Sequence, residues 1–429
     1  MTFPSSLRRA AITALALLAV IPLVASAPAA QQERVDGWTS DLEHWLAAAE
    51  REHYTYRGRS LPEPLLARAD WLREEIPHLS DQRILMELER LAVSLGDGHT
   101  FVRPFASRVE TTALPLRFYF FADGLFVIDA WQGFERWIGS RVLAIGNTDA
   151  DTLLARLADY VSHDNAQNVR WSGPTFLRLT GTLEAIAEGI EPTRVPVRLR
   201  APSGEESEVV FTPEREEPSS GTPKLAPSRV PGAPPPPLYL TDVATAFWFR
   251  ALDEDTLYVQ FNQVVNTPEE TLEDFAARLG DEIAEREPQC LLIDVRHNNG
   301  GDGSILGPLM RTLREFERRP GEIVVLMGRN TFSAAQIFLA LVDRDTAALF
   351  AGEPSSSRPN FVGEENRIEL PWSGGSGGIS NRYHETIPGD TREFIAPDLP
   401  LELSSADYFA NRDPLLEMVL ARPRKGETR

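Results

Sequence analysis

The sequence has almost no cysteine, since Cys290 is the only one among its 429 residues. A single cysteine excludes an intramolecular disulfide, even in a compartment that would permit one. Cys290 begins the apolar run 290–293, which is typical of a buried strand. A buried thiol is the more ordinary role for such a residue than a catalytic one.

Positive charge is also scarce, because 43 Lys and Arg stand against 63 Asp and Glu, which gives a net charge of −20. Binding to nucleic acid depends on clustered Lys and Arg, so the composition argues against a nucleic-acid partner. The same charge would repel anionic lipid surfaces.

Motifs for metals and phosphates are missing. The seven histidines are scattered without an H-E-x-x-H or similar spacing. The glycine-rich run 374–378 is not followed by Gly-Lys-Ser/Thr, so it is no phosphate loop and is expected to form a flexible hairpin beside the site. We therefore expect no metal site and no cofactor.

Long apolar runs are limited to the N-terminus. Arg8 and Arg9 precede the apolar stretch 10–23, and A-x-A-like cleavage sites follow within 25–29. This pattern predicts an export signal over residues 1–29 and a periplasmic or secreted mature chain. A retained signal anchor is the alternative, although the run is short for a span of about 20 residues.

The remaining chain changes character three times. Residues 30–100 have apolar positions at helical spacing. Residues 101–213 show short strands, and the phrase 139–147 looks like the late strand and turn of a PDZ domain, so this part is predicted to be a PDZ-like α+β domain. Residues 214–238 are rich in Pro, Ser, Glu and Gly and predict a linker.

Residues 239–429 alternate between strands and helices, which indicates an α/β core with a parallel sheet. Predicted strands at 290–295 and 323–327 are each followed by an unusual loop, 296–303 and 328–332. Because ligands bind beyond the carboxyl ends of parallel strands, both loops are expected at one functional edge.

The first loop ends in Gly300 and Gly301, and the second leads into Ser333 at the start of a predicted helix. Paired glycines let backbone N–H groups point into a site, as an oxyanion hole requires. A serine between a strand and a helix has the geometry of a nucleophile elbow. Taken singly, a plain turn and a helix cap are the commoner explanations.

Taken together, these motifs resemble the core of the tail-specific (C-terminal-processing) serine peptidase family. The resemblance rests on Arg-x-Asn-x-Gly-Gly at 296–301, Ser-Ala-Ala at 333–335, and the later phrases 352–354, 370–373, 396–398 and 411–414. It covers about residues 240 to 420 well and implies a crotonase-like core. It also implies Ser333 as nucleophile and the backbone N–H groups of Gly300 and Ala334 as oxyanion-hole donors.

One departure from the family pattern changes which residue is expected to be the general base. The best-known branch of the family has a lysine 25 residues after the serine, where this chain has Arg358. Arginine stays protonated at any workable pH and cannot accept the serine proton. His99, in Gly-Asp-Gly-His-Thr at 96–100, is similar to the histidine of the tricorn-like branch, so the resemblance implies His99 as the base. His297 and His384 are rivals.

The acid that would orient the histidine is less well indicated. By position before Ala396-Pro397-Asp398 the resemblance favours Glu393, with Asp390 and then Glu385 as alternatives. Tricorn-like enzymes carry a serine directly before the histidine, where this chain has Gly98, so either the orienting network differs in detail or the site is impaired.

The sequence thus predicts an exported serine endopeptidase that cleaves unfolded or C-terminally exposed polypeptides through an acyl-enzyme. A non-catalytic ligand- or peptide-binding protein on the same fold is the main alternative, and an esterase-type hydrolase would use the same residues. No stable membrane insertion is expected after signal cleavage, and the oligomeric state stays open.

Overall fold

The computed structural model describes residues 27–216, 224–230 and 232–423. The predicted export signal at 1–29 therefore lies almost wholly outside the described residues, as does part of the predicted linker at 214–238. Among the described helices, none is both long and apolar enough to cross a bilayer.

Three helices begin the described chain: α1 (Ala27–Glu52), α2 (Glu63–Glu75) and α3 (Asp81–Val93). The α3 helix starts where the Ser80 side chain accepts the Arg83 N–H at 3.1 Å, which satisfies one of the unpaired donors of the first turn. Its apolar stripe packs on Trp38 and Trp45 of α1 in one buried cluster. The helical spacing of apolar residues over 30–100 thus corresponds to helices α1 to α3.

The next segment is mainly an antiparallel sheet with three helices. Its elements are β1 (Phe101–Ala106), β2 (Thr112–Ala113), β3 (Leu116–Phe121), β4 (Gly124–Ala130), β5 (Arg141–Ile145), β6 (Thr148–Asp149), α4 (Ala150–Leu157), α5 (Ala166–Phe176), α6 (Thr180–Ile186), β7 (Val195–Arg200), β8 (Glu206–Phe211) and β9 (Glu214–Arg215). The sheet has the order β3-β4-β5-β7-β8, with β6 paired to β5. The PDZ-like assignment of this segment stays a prediction.

The C-terminal segment contains the parallel sheet. Its elements are β10 (Phe247–Ala251), β11 (Thr256–Phe261), α7 (Leu272–Arg286), β12 (Cys290–Asp294), α8 (Gly307–Glu317), β13 (Glu322–Met327), α9 (Ala334–Asp345), β14 (Leu349–Gly352), β15 (Asn360–Glu369), β16 (Gly375–Glu385), β17 (Leu399–Pro400), α10 (Ser405–Phe409) and α11 (Pro414–Leu420). The order is β10-β11-β12-β13-β14-β17, with all neighbours parallel except β10 and β11. The α/β fold with a parallel sheet is therefore confirmed.

Every residue of β12 is buried, Cys290 included, as expected for a central parallel strand covered on both faces. The loops that follow β12 and β13 leave the sheet at its carboxyl edge. The two loops contact each other there, and the Phe332 N–H of one donates to the Asn298 carbonyl of the other at 3.3 Å.

The glycine run at 374–378 was expected to form a flexible hairpin, and it does lie in the hairpin that joins the antiparallel strands β15 and β16. Its flexibility stays a prediction. Gly375 begins the strand β16, which pairs with β15 and β1 in a separate antiparallel sheet. A Cβ on Gly377 would lie 2.3 Å from the Phe101 carbonyl oxygen. The glycines therefore allow β1 to approach closely and bring the residues that precede β1 beside the core.

Two arginines hold the functional loops to the core, and of these Arg329 is buried and Arg296 partly buried. Arg296 pairs with Asp294 at 2.5 Å and with Asp413 at 2.8 Å. Arg329 pairs with Glu353 at 2.7 Å and Glu402 at 2.9 Å. Two phrases that carried the family resemblance, 296–301 and 411–414, are thus joined directly by the ion pair between Arg296 and Asp413.

We predict that Arg296→Leu destabilises the protein strongly. Removing one partner of a buried ion pair leaves uncompensated charge and costs about 3–5 kcal/mol. The matched control is Arg412→Leu, because Arg412 forms two ion pairs through a side chain that is 53% exposed, and exposed pairs contribute little. Urea denaturation of both variants measures the difference, and equal loss of stability would contradict the assignment.

Candidate active site

Ser333 lies in a strained turn between β13 and α9. Its φ and ψ are 54° and −125°, a conformation that non-glycine residues rarely adopt and that costs about 1–3 kcal/mol. The residue is the N-cap of α9, yet its side chain makes no capping hydrogen bond. The hydroxyl is thus presented away from the helix, as in a nucleophile elbow.

His99 faces this hydroxyl from a distant part of the sequence. Its Nε2 lies 2.9 Å from the Ser333 Oγ, although 234 residues separate the two. The structure therefore brings together the predicted nucleophile and base. His297 and His384 have no hydrogen bond to Ser333 in the described residues.

The His99 ring is enclosed by two aromatic rings. Phe332 stacks on it at 4.5 Å and Phe361 at 5.4 Å between ring centroids. Burial lowers the pKa of His99 to about 4, against a smaller upward effect of Asp97. The imidazole is consequently neutral at pH 7, which is the form that accepts a proton.

The absence of a side chain at Gly98 has a steric explanation. A Cβ at this position would lie 2.9 Å from the Phe332 ring, so the serine of the tricorn-like pattern would require this ring to shift. The Gly98 N–H instead donates to Asp164 at 2.8 Å. Burial raises the pKa of Asp164 to about 7.

None of the three predicted acids reaches the second nitrogen of His99. The Nδ1 atom is buried and has no hydrogen-bond partner in the described part of the chain. Glu393 is exposed and contributes its backbone carbonyl to the Asn165 side chain at 2.8 Å. Asp390 pairs with Arg392, and Glu385 accepts from the Gly389 N–H.

The rival histidines have other surroundings. His297 is 3% exposed and stacks on Tyr239 at 5.7 Å. His384 stacks on Phe361 at 5.0 Å, on the aromatic ring that also contacts His99. Both therefore pack as neighbours of the site rather than against Ser333.

The two predicted oxyanion-hole residues lie side by side. A Cβ on Gly300 would be 2.9 Å from the Ala334 nitrogen and 2.7 Å from the Ser333 Cβ. The Ala334 N–H opens the helix and has no acceptor in the described residues. The Gly300 N–H donates to the Asn298 side chain at 3.0 Å, so this donor is already engaged.

Sequence reasoning missed the segment that connects these parts. Asp164 holds Gly98 and accepts from the Ser357 hydroxyl. Asn165 donates to the carbonyls of Ser355 and Glu393. Arg358, which occupies the position of the family lysine, is exposed and lies 3.4 Å from the Asp164 carbonyl oxygen.

Two cavities adjoin the site. A groove of about 650 Å³ runs along β1 and is also lined by Gly98 and Phe332. A cavity of about 420 Å³ lies at the carboxyl edge of the parallel sheet and is lined by His297, Asn330 and aromatic side chains of the preceding segment. Among the described residues, no cluster of side chains has the composition of a metal site.

The fold is shared with solved structures. The structure of mature CPAF complexed with lactacystin aligns with a TM-score of 0.62 at 12% identity, over 91% of this chain and 98% of that chain. A second structure of mature CPAF gives 0.59 at 12% identity, over 88% and 95%. A serine-to-alanine mutant of CPAF gives 0.62 at 11% identity, over 90% and 97%. No protein-family model and no curated protein matches the sequence.

We predict that Gly300→Ala suppresses the reactivity of Ser333. The new Cβ would overlap the elbow and displace Ala334, and loss of one oxyanion donor alone costs about 10²–10³-fold. Gly58→Ala is the control, since Gly58 also has a positive φ (+74°) but no atom within 4 Å of its Cβ. Labelling by a fluorophosphonate measures the effect, and similar rates in both variants would contradict it.

Proposed function

We propose that this protein is a serine peptidase in which Ser333 is the nucleophile and His99 the general base. The contact of 2.9 Å between His99 Nε2 and Ser333 Oγ is the observation that carries the proposal. Serine needs such a base to be nucleophilic at neutral pH. The motif resemblance to tail-specific peptidases and the fold shared with CPAF support the same function.

In this mechanism Ser333 Oγ attacks the peptide carbonyl carbon while its proton moves to His99 Nε2. The negative charge on the carbonyl oxygen is stabilised by the Ala334 N–H and, once it turns from Asn298, by the Gly300 N–H. The C–N bond then breaks as His99 returns the proton to the leaving amine. Water, deprotonated by the same imidazole, hydrolyses the acyl-enzyme and releases Ser333.

The shape of the groove favours a polypeptide substrate. The groove follows the extended strand β1 and reaches Gly98, next to the base. An extended chain fits such a surface better than a folded one. We therefore propose unfolded or C-terminally exposed polypeptides as substrates, acted on after export, and an esterase remains the chemical alternative with the same residues.

One observation favours the binding-protein alternative. The cavity of about 420 Å³ has the volume of a small-molecule site and lies at the sheet edge where α/β proteins bind ligands. Within it, His297 Nε2 and Asn330 Oδ1 are buried without partners in the described residues. A pure binding protein, however, would have no use for the backbone strain at Ser333.

We predict that the mature chain hydrolyses casein and that Ser333→Ala and His99→Ala both abolish the cleavage. Each substitution removes one half of the proton transfer, and general-base catalysis is worth about 10²–10⁴-fold. Release of acid-soluble peptides is the measurement. Cleavage by the wild type that is no faster than by Ser333→Ala would favour the binding-protein alternative.

We predict that activity persists at acidic pH. Because the pKa of His99 is lowered to about 4, the free base is present down to about pH 5, whereas an ordinary histidine would protonate near 6.5. The acid limb of kcat/KM should therefore fall near pH 4. Stability should decline as pH falls from 6.5 to 4, since the unfolded state then takes up a proton that the folded state does not.

Circular dichroism at each pH separates this unfolding from loss of the base. Asp164→Asn is the matched variant, because Asp164 is the neighbouring group whose pKa lies near 7. If kcat/KM falls with an acid limb at pH 6.5 in both the wild type and Asp164→Asn, His99 is not the buried base.

A further inference from the structure

The carboxylate of Asp97 is the most densely hydrogen-bonded group beside His99. Its Oδ1 accepts from the N–H groups of His99 at 2.9 Å and Thr100 at 2.7 Å and from the Ser380 hydroxyl at 2.5 Å. Its Oδ2 lies 2.8 Å from His53 Nε2 and 3.0 Å from the Thr100 hydroxyl. Asp97 is 3% exposed, so these contacts replace its hydration.

The direction of the hydrogen bond between His53 and Asp97 follows from the contact of the second ring nitrogen of His53. Nδ1 accepts the Thr55 N–H at 3.2 Å, so it carries no proton, and Nε2–H must donate to Asp97. Burial alone would raise the pKa of Asp97, but the hydrogen bonds from His53 and Ser380 outweigh it and lower that pKa. Asp97 is therefore a fixed negative charge.

Three distant segments contribute to this cluster. His53 directly follows α1, Asp97 precedes β1, and Ser380 lies in β16. They are also joined through the backbone, since the Tyr54 N–H donates to the Ser380 carbonyl at 2.8 Å and the Ser380 N–H to the Thr100 hydroxyl at 3.1 Å. The N-terminal helix is thereby connected to the loop that carries His99.

We propose that Asp97, held by His53 and Ser380, is the positioning residue of His99 and takes the place of a triad acid. It binds the backbone of His99 rather than the ring, and its charge favours the imidazolium that forms when Ser333 attacks. The proton goes from Ser333 Oγ to His99 Nε2 and no further, and Asp97 stays ionised. This inference rests on the proposed function and assigns Glu393 no part in it.

The charges that face His99 are consistent with this role. Asp97 raises the pKa of His99, and His384 lowers it. Asp164 also lies against Gly98, but its raised pKa of about 7 leaves it partly protonated at neutral pH. Asp97 is thus the carboxylate that keeps its full charge near the base.

The test is the rate at which diisopropyl fluorophosphate phosphorylates Ser333 in the full chain, followed by intact mass from about pH 3 to pH 8. Asp97→Asn should lower the rate about tenfold or more, because misplacing a general base forfeits part of its 10²–10⁴-fold effect. The acid limb should also move to lower pH, since a charge that raises the pKa of His99 is gone. Asp41→Asn is the control, because Asp41 is equally buried and accepts the N–H groups of Trp372 and Ser373.

A second pair of variants keeps the test decisive if Asp97→Asn does not fold. His53→Leu removes the donor to Asp97 and should slow labelling, whereas His53→Gln, which retains an N–H near the same place, should restore most of the rate. A purely structural role would give the two His53 variants the same acid limb as the wild type.

The outcomes separate the two claims. If the wild type is not labelled at Ser333, the proposed function fails and the inference fails with it. If the wild type is labelled, and Asp97→Asn matches it while Glu393→Gln loses the rate and shifts the acid limb, only the inference is overturned. Slow labelling with a shifted limb in Asp97→Asn, beside normal labelling in Asp41→Asn and Glu393→Gln, supports it.

Discussion

The contact between the Ser333 hydroxyl and His99 Nε2 is the interaction on which the rest of the account depends. It joins a loop that precedes β1 to an elbow that follows β13, across 234 residues. Each side is held by its own scaffold: buried ion pairs fix the loops of the parallel sheet, and the Asp97 cluster fixes the histidine loop. The strain at Ser333 persists because these surroundings over-determine it.

The site has an apolar character that sets its chemistry. Phe332 and Phe361 exclude water from the His99 ring, so the base is neutral over most of the pH range in which proteins are folded. The His99 Nδ1 atom is buried without a hydrogen-bond partner in the described residues, and an unsatisfied group of this kind destabilises the folded state by about 1–3 kcal/mol. In the proposed mechanism, the charge of Asp97 compensates the imidazolium from behind the backbone, without contacting the ring.

Much of the fold was predictable from local pattern. The alternation of buried strands and amphipathic helices predicted the parallel sheet, and Ser333 stood out because it lies between a strand and a helix. His99 was indicated by a motif resemblance, since nothing local distinguishes it from other histidines. The role proposed for Asp97 could not be predicted, because its partners His53 and Ser380 come from segments that meet it only in the folded chain. The hairpin at 374–378 was predicted, but the close approach of β1 to its glycines was not, because close backbone approach and flexibility have the same local signature.

The central claim is that His99 is a buried neutral base paired with Ser333, and its imidazole ¹⁵N resonances test this most directly. We expect the His99 signals, assigned by their loss in His99→Ala, to show a neutral ring protonated at Nδ1, with Nε2 free to accept from Ser333. This state should persist from pH 8 to about pH 5, in keeping with the pKa of about 4. A ring that titrates near 6.5, or that carries its neutral proton on Nε2, would contradict the account.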